Sequence, residues 1–257
     1  MVPDVDGVPD TTRIVDVLDD DVALVAISHI PTNSGLVVDA AAIGAATRPA
    51  GIPFLLDACQ SIGQVAVDVG ELGCDLLTAT GRKYLRGPRG TGFLYASPAL
   101  RSQIEPLSLD LHSASWAAVD RYEVRADARR FETWESSPMI RMGLGAAADH
   151  ALAWGIDAIE TRVVELGEAL RTRLGAMGAQ VWEPDSRRGG IVTFTLDGID
   201  PPAIRDRLLA QHVNVWVSDP TPLDRASGAR PRVVRASAHY YNTVGELDRF
   251  VAALADL

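Results

Sequence analysis

Three short apolar runs near the front of the chain, each closed by polar residues, constrain its fold more than anything else in the sequence. Residues 22–28 (VALVAIS), residues 53–56 with Asp57 at their end, and Leu76–Thr80 (LLTAT) are apolar at successive positions. A strand covered on one face alternates apolar with polar side chains, so these runs predict strands buried on both faces. Between the first two, residues 38–47 are Ala-rich and helical in character, and Pro49 and Gly51 follow as stop signals. Strand, helix, strand at this length is a crossover unit and predicts a parallel pair. The link from Asp57 to Leu76 is shorter and leaves room for a helical turn at Val69–Leu72. A fourth strand is expected over residues 91–96.

Polar residues stand at the carboxyl ends of these strands: Ser28 and His29, Asp57 with Gln60, and Thr80 through Lys83. Ligands of open parallel sheets bind at that edge. Residues 97–137 read as loop and lid material, with a basic side made by Arg121, Arg125, Arg129 and Arg130. Pro138–Trp154 predicts a helix, with Pro in its first turn and Gly155 after its end. In residues 156–174 the apolar positions Ile156, Ile159, Val163, Leu166, Leu170 and Leu174 recur at steps of three and four. Glu160, Arg162, Glu165, Glu168 and Arg171 take the other side, which predicts one buried and one wet face. Beyond them, strands expected at 191–196, 213–217 and 233–236 alternate with helices at Pro201–Ala210 and 246–254, and segments 183–190 and 218–232 read as surface loops. The expected division is a partial large domain over 1–137, connecting helices over 138–175 and a small α/β domain over 176–257.

Composition narrows the function. Of 257 residues 47% are apolar, enough for a sizeable core, and the formal net charge is −10. That balance argues against broad binding to nucleic acid or anionic membranes, which needs clustered Lys and Arg. Cys59 and Cys74 have neither disulfide-scaffold nor metal-site spacing. Every apolar stretch is broken before membrane-spanning length. The acidic opening MVPDVDGVPD does not read as a signal peptide, so the expectation is a cytoplasmic protein.

The densest chemistry surrounds Lys83, in T-G-R-K-Y-L-R-G-P-R-G from Thr80 to Gly90. A lysine at the end of a buried strand is unusual. It reads either as part of a basic anion-binding loop or as a Schiff-base lysine beside a phosphate cup, with neighbouring cations lowering its pKa. Asp57 reads either as a cap of the DACQS turn or as the carboxylate that keeps a pyridinium nitrogen protonated. Gln60, one turn on, would donate to a phenolic oxygen. His29 reads as a structural hydrogen-bonder or as a residue placed against a cofactor, and Thr32 and Asn33 follow in its loop. Arg235 ends the run RVVRA, and its fork suits a substrate carboxylate. The glycines of residues 86–92 also invite a nucleotide reading, but both G-x-G-x-x-G at a strand-to-helix turn and the phosphate-loop G-K-[ST] are lacking.

The stretches AISHIPTNSG, LLDACQSIGQ, DLLTATGRKYLRGPRGTGFLY, RRFETWE and VVRASAHYYNT resemble, in order, those of the class V aminotransferases, the cysteine desulfurase-like branch of the fold-type I pyridoxal-phosphate enzymes. The chain also resembles the branch with isopenicillin epimerase-like and ergothioneine-pathway lyase-like proteins. The resemblance implies an α/β fold with a mostly parallel large-domain sheet and a small C-terminal domain, pyridoxal 5'-phosphate as cofactor, an amino-acid substrate and a homodimer. Lys83 would form the Schiff base and shuttle the substrate proton. Asp57 would pair with the pyridine nitrogen, with Gln60, Thr80, Arg82, His29 and Thr32 completing the cofactor site. Arg235 and Asn33 would bind the substrate, and the loop from Arg86 to Arg89 would approach the partner's site.

Two departures from the family shape the expected activity. Cys59 lies in the turn after Asp57, Cys74 leads into a strand, and the loop before Arg235 has no cysteine, so a persulfide relay is not expected. Transamination, epimerisation or carbon–sulfur lysis then remains, or an inactive, partner-dependent role. The lysine also stands earlier in the chain than in the family, which implies a missing front end: a start assigned too late, a segment supplied by a partner, or a degenerate copy.

Overall fold

The computed structural model describes residues 4–5, 8–220 and 230–255. A four-stranded sheet carries β1 (Val25–Ser28), β2 (Phe54–Asp57), β3 (Leu76–Thr80) and β4 (Gly92–Ala96) in that order. The first three are parallel and β4 runs antiparallel to β3, so the sheet is mixed. Helix α1 (Ala40–Ala50) makes the crossover from β1 to β2, and α2 (Val69–Leu72) is a single turn between β2 and β3. Asp39 caps α1 by accepting from Ala42 N at 3.1 Å. The helix runs past Pro49 and stops at Gly51, whose φ of 68° only glycine adopts cheaply.

Burial on both faces of the early strands is not what the structure shows. Phe54, Leu56, Leu77 and Ala79 are buried on one face with Ile43 of α1 and Ile14 of the 3-10 turn Thr11–Val17. Leu55, Leu76 and Thr78, on the other face, are only half-covered. Residues 22–24 lie outside β1, and Leu24 is 45% exposed. The physical reason is cover: Ile43 of α1 and Ile14 of the Thr11–Val17 turn pack against the Phe54, Leu56 and Leu77 face of the sheet.

Residues 97–137 are more ordered than loop and lid. After the short α3 (Pro98–Arg101), β5 (Ala114–Ala118) and β6 (Arg121–Val124) form an antiparallel hairpin, followed by a 3-10 turn at Ala128–Phe131. Helices α4 (Pro138–Trp154) and α5 (Ile156–Ala176) meet at Gly155, φ 86°. The second sheet is fully antiparallel, in the order β9 (Trp216–Ser218), β10 (Val233–Ser237), β8 (Ile191–Thr195) and β7 (Gln180–Val181). Helices α6 (Pro201–Ala210) and α7 (Val244–Ala255) pack with α5 on a core built around Leu170, Leu174, Phe194, Ile204, Leu208 and Phe250. The start of β9 lies three residues beyond its expected place, and part of the expected loop 218–232, residues 221–229, falls outside the described residues.

Arg171 departs from the amphipathic reading of α5. It is buried, not wet, and donates to Gly189 O at 2.9 Å and Ile191 O at 2.7 Å. Glu168 lies 3.0 Å and buried Glu183 3.5 Å from its guanidinium. The carbonyls at the start of β8 need donors that α5 alone can reach, and that need overrides the period of the helix.

Candidate active site

The loop after β3 is closed on itself. Gly81 N donates to Thr91 O at 2.9 Å, Gly87 N to Gly81 O at 2.6 Å and Arg86 N to Lys83 O at 2.9 Å. A Cβ on Gly81 would collide with Thr91 Oγ1, so only glycine fits there. Arg86 itself sits at φ 63°, a strained conformation for a side-chain-bearing residue. This tight loop presents Lys83 half-buried on the wall of a cleft of about 490 Å³. Thr32, Gln60, Arg82 and Arg235 also line this cleft, with Tyr84, Trp216 and His239.

The electrostatics single out Lys83. Burial lowers its pKa, Arg82 and Arg235 act in the same sense, and Cys59 and Asp57 oppose them. The notional cause from sequence, neighbouring cations, is thus secondary to desolvation. Asp57 is half-buried at the end of β2, and its Oδ1 accepts from Cys59 N at 2.9 Å. It therefore caps the DACQS turn with one oxygen while standing near Lys83. Cys59 itself is pushed up to about 11, first by burial and then by Asp57, which leaves it a thiol at neutral pH.

A chain of contacts joins the two sheets across the cleft. Gln60 is buried and its Nε2 donates to Thr32 Oγ1 at 3.2 Å, while Arg235 Nη1 donates to Thr32 O at 3.0 Å. Arg235 Nε is buried without a hydrogen-bond partner, and among the described residues no carboxylate pairs with this guanidinium. Burial lowers the Arg235 pKa from its ordinary value.

Four expected site residues do not line the cleft: Asp57, which stands behind Lys83 at the end of β2, and His29, Thr80 and Asn33. His29 is 1% exposed, and the charges nearest its ring are Arg187 and Glu160, not Lys83. The cause is the alternation of a strand: Ser28 is in register with Asp57, so the next residue points to the opposite face. Thr80 Oγ1 donates to Thr91 O at 3.4 Å, inside the loop closure. Asn33 Nδ2 donates to Asp219 O at 3.4 Å, away from the cleft wall. Conversely, Tyr84, Trp216 and His239 line the cleft without having been named as site residues. The donor-rich run after Arg235 was the signal for His239; Trp216 becomes visible only through its pairing with Arg235 across β9 and β10.

The family model for aminotransferase class-V matches residues 1–250. The chain belongs to this family. Among its curated relatives, a probable cysteine desulfurase of Methanothermobacter thermautotrophicus is 31% identical over 98% of this chain and 64% of its own. Probable cysteine desulfurase 2 of Mycobacterium leprae is 34% identical over 92% and 57%, and a probable hercynylcysteine sulfoxide lyase of Mycobacterium tuberculosis is 31% identical over the same shares. The apo cysteine desulfurase of Thermococcus onnurineus NA1 superposes with a TM-score of 0.90 at 24% identity, over 100% of this chain and 65% of that one. A cystine C–S lyase in complex with its product cysteine persulfide gives 0.84 at 26% identity, over 96% and 64%. The class V member therefore has the fold-type I architecture, here with one mixed and one antiparallel sheet of four strands each, and it spans less than two thirds of the length of these relatives.

These matches overturn the expectation that a persulfide-relay desulfurase is unlikely. Cysteine desulfurases recur among the relatives by sequence and by structure, and the weight placed on a missing loop cysteine was misplaced. The loop in question lies largely in residues 221–229, outside those described.

Proposed function

We propose that this class V aminotransferase family member carries the pyridoxal-phosphate site of a desulfurase-type enzyme that removes sulfur from a cysteine-type amino acid. One observation carries the proposal: a desolvated Lys83, near the Asp57 carboxylate, shares a cleft with a guanidinium that no carboxylate among the described residues satisfies. The donor set fits the cofactor on its own chemistry. An amine shifted toward its neutral form attacks an aldehyde, a neighbouring carboxylate suits a pyridinium, and Arg82 at the mouth suits a phosphate.

Pyridoxal phosphate, when bound, supplies an electron sink that loosens the bonds of the substrate's Cα and makes the Cβ–S bond labile. Lys83 Nζ would hold the cofactor's aldehyde and would move the proton at the substrate Cα. Asp57 keeps the ring nitrogen protonated through its carboxylate. Gln60 Nε2, which donates to Thr32 here, is the donor for the phenolic oxygen. Arg235 takes the substrate carboxylate with its Nε and Nη groups and fixes the α-amino group toward Lys83. The cysteine-type substrate is drawn from the relatives, two of them probable cysteine desulfurases and one a lyase of a cysteine-derived sulfoxide. The reading extends to a homodimer, supported by the apolar surface of the β5–β6 hairpin and its surroundings.

The test is direct. Protein supplied with pyridoxal phosphate is expected to turn yellow, and borohydride is expected to fix the cofactor to the peptide bearing Lys83. Given cysteine and a thiol acceptor, it is expected to yield alanine and one persulfide or sulfide sulfur per turnover. Protein that stays colourless, or cofactor fixed at another lysine, overturns the proposal.

A further inference from the structure

Tyr84 follows Lys83 in the chain, and both of its polar ends are held by residues just beyond β10. Its hydroxyl donates to Ala238 O at 3.2 Å. Its carbonyl lies 3.1 Å from His239 Nε2. The rings of Tyr84 and His239 stack at 5.0 Å and 15°, and His239 stacks in turn on Tyr241 at 4.3 Å and 20°. The backbone of His239 is pinned as well, its N–H donating to Asn242 Oδ1 at 2.8 Å. Arg86, in its strained turn, donates to Tyr240 Oη at 3.1 Å and lies over the rings of Tyr240 and Tyr241. The contacts of Tyr84 and Arg86 pass between the loop of the mixed sheet that bears Lys83 and the segment just beyond the antiparallel strand that bears Arg235, and the contacts to Tyr241 and Asn242 brace that segment from within.

The chemistry fixes the tautomer. A carbonyl only accepts, so Nε2 carries the proton and Nδ1 keeps a lone pair. Nδ1 is buried without a partner, and the ring is 8% exposed on the cleft wall. Burial holds the His239 pKa at about 4, so the imidazole stays neutral and the donor stays in place at neutral pH.

We propose that His239 is a positioning residue: by donating to the Tyr84 carbonyl and packing between Tyr84 and Tyr241, it sets the distance between the Lys83 amine and the Arg235 fork. The inference rests on the roles given to those two residues above. The amine and the fork must meet opposite ends of one small α-amino acid, yet they belong to different sheets. An error of about an ångström in such a spacing is costly in rate. His239 is four residues from Arg235 and touches the residue next to Lys83, so it ties the two directly.

The test uses the cofactor-loaded chain with two substitutions. His239→Phe keeps the ring stack and deletes the donor, and His239→Gln restores an N–H at the place of Nε2. Propionate is the probe, because it carries the carboxylate and cannot react; its binding is read from its effect on the cofactor's visible band, alongside KM and kcat for cysteine. His239→Phe is expected to weaken propionate and raise KM about tenfold, with the band and its attachment to Lys83 retained and kcat changed less. His239→Gln is expected to bind propionate within about threefold of the parent. Parent-like propionate binding by a folded His239→Phe overturns the inference, as does a His239→Gln protein that binds propionate as poorly as the phenylalanine variant. Should the phenylalanine variant fail to fold by circular dichroism, the glutamine variant decides by the same criterion. Parent protein without a band fixed at Lys83 marks failure of the underlying functional reading, and the inference falls with it.

Discussion

At the scale of single residues, the cleft is a balance of desolvation against charge. Lys83 is driven toward its neutral form by burial while Asp57 stands beside it, so removing the acid affects chemistry more than binding. Asp57→Asn is expected to keep the cofactor trappable at Lys83 while turnover falls by about a hundredfold or more, checked by borohydride labelling and by kcat. Arg235→Gln is expected to raise KM for cysteine by tenfold to about a hundredfold, the worth of charge-assisted hydrogen bonds to a carboxylate, with kcat much less affected. His29 and His239 make a different prediction. Burial lowers each from an ordinary 6.5 to about 4, so both are neutral in the fold and the unfolded chain binds more protons once the pH drops. Stability is complete above about pH 6.5 and is lost as the pH falls from there through 4, by up to about 3 kcal/mol for each residue. Urea midpoints measured between pH 7.5 and 4 check this, and His29→Gln is expected to flatten the decline. That Thr32, Gln60, Arg82, Lys83 and Arg235 meet at one cleft was legible in the sequence, because they follow or end strands whose carboxyl edges lie side by side. The place of His29 was not, because it depends on which face a strand residue takes, and that follows from its register with Asp57.

At the scale of elements, the sequence is clearest where one period runs uninterrupted. Leu76–Thr80, Pro138–Trp154 and Pro201–Ala210 form with the bounds their patterns predict. The β5–β6 hairpin was passed over because its alternation of polar and aromatic residues is exposed on both sides, and an exposed strand carries no apolar stripe to mark it. Arg171 was misread for the opposite reason: its neighbours are carbonyls of β8, distant in sequence, which no helical period reports. Its burial carries a consequence for stability. Arg171→Met leaves Glu183 buried with only its bonds to Thr193 and removes the donors to two β-strand carbonyls. A loss of about 3 to 5 kcal/mol is expected, measured by chemical denaturation, and Arg171→Lys is expected to recover only part of it, because one ammonium nitrogen in the place of Nη2 cannot also reach Glu168 and Glu183 as Nη1 and Nε do.

At the scale of the whole molecule, two surfaces stand out. Leu107, Leu111, Trp116, Val119, Tyr122 and Trp134 are exposed on or near the β5–β6 hairpin, and Met139 and Met142 continue the patch on α4. An apolar surface of this kind marks an interface. Light scattering at micromolar concentration is expected to give twice the chain mass, and Trp116→Glu with Leu111→Glu is expected to shift the protein toward single chains while the circular dichroism spectrum is kept. The other surface is the cleft, and its two walls come from different sheets: Lys83 and Gln60 from the parallel strands, Arg235 from β10 of the antiparallel one. No covalent shortcut joins them, and the span between them is bridged by Thr32 and by the stack around Tyr84. An amine that lacks a carboxylate would touch one wall alone. Under the proposed function, selection between amino acids and simple amines would reside in whether a molecule is long enough and doubly charged enough to bridge the gap, so discrimination would be a matter of reach before it is a matter of affinity.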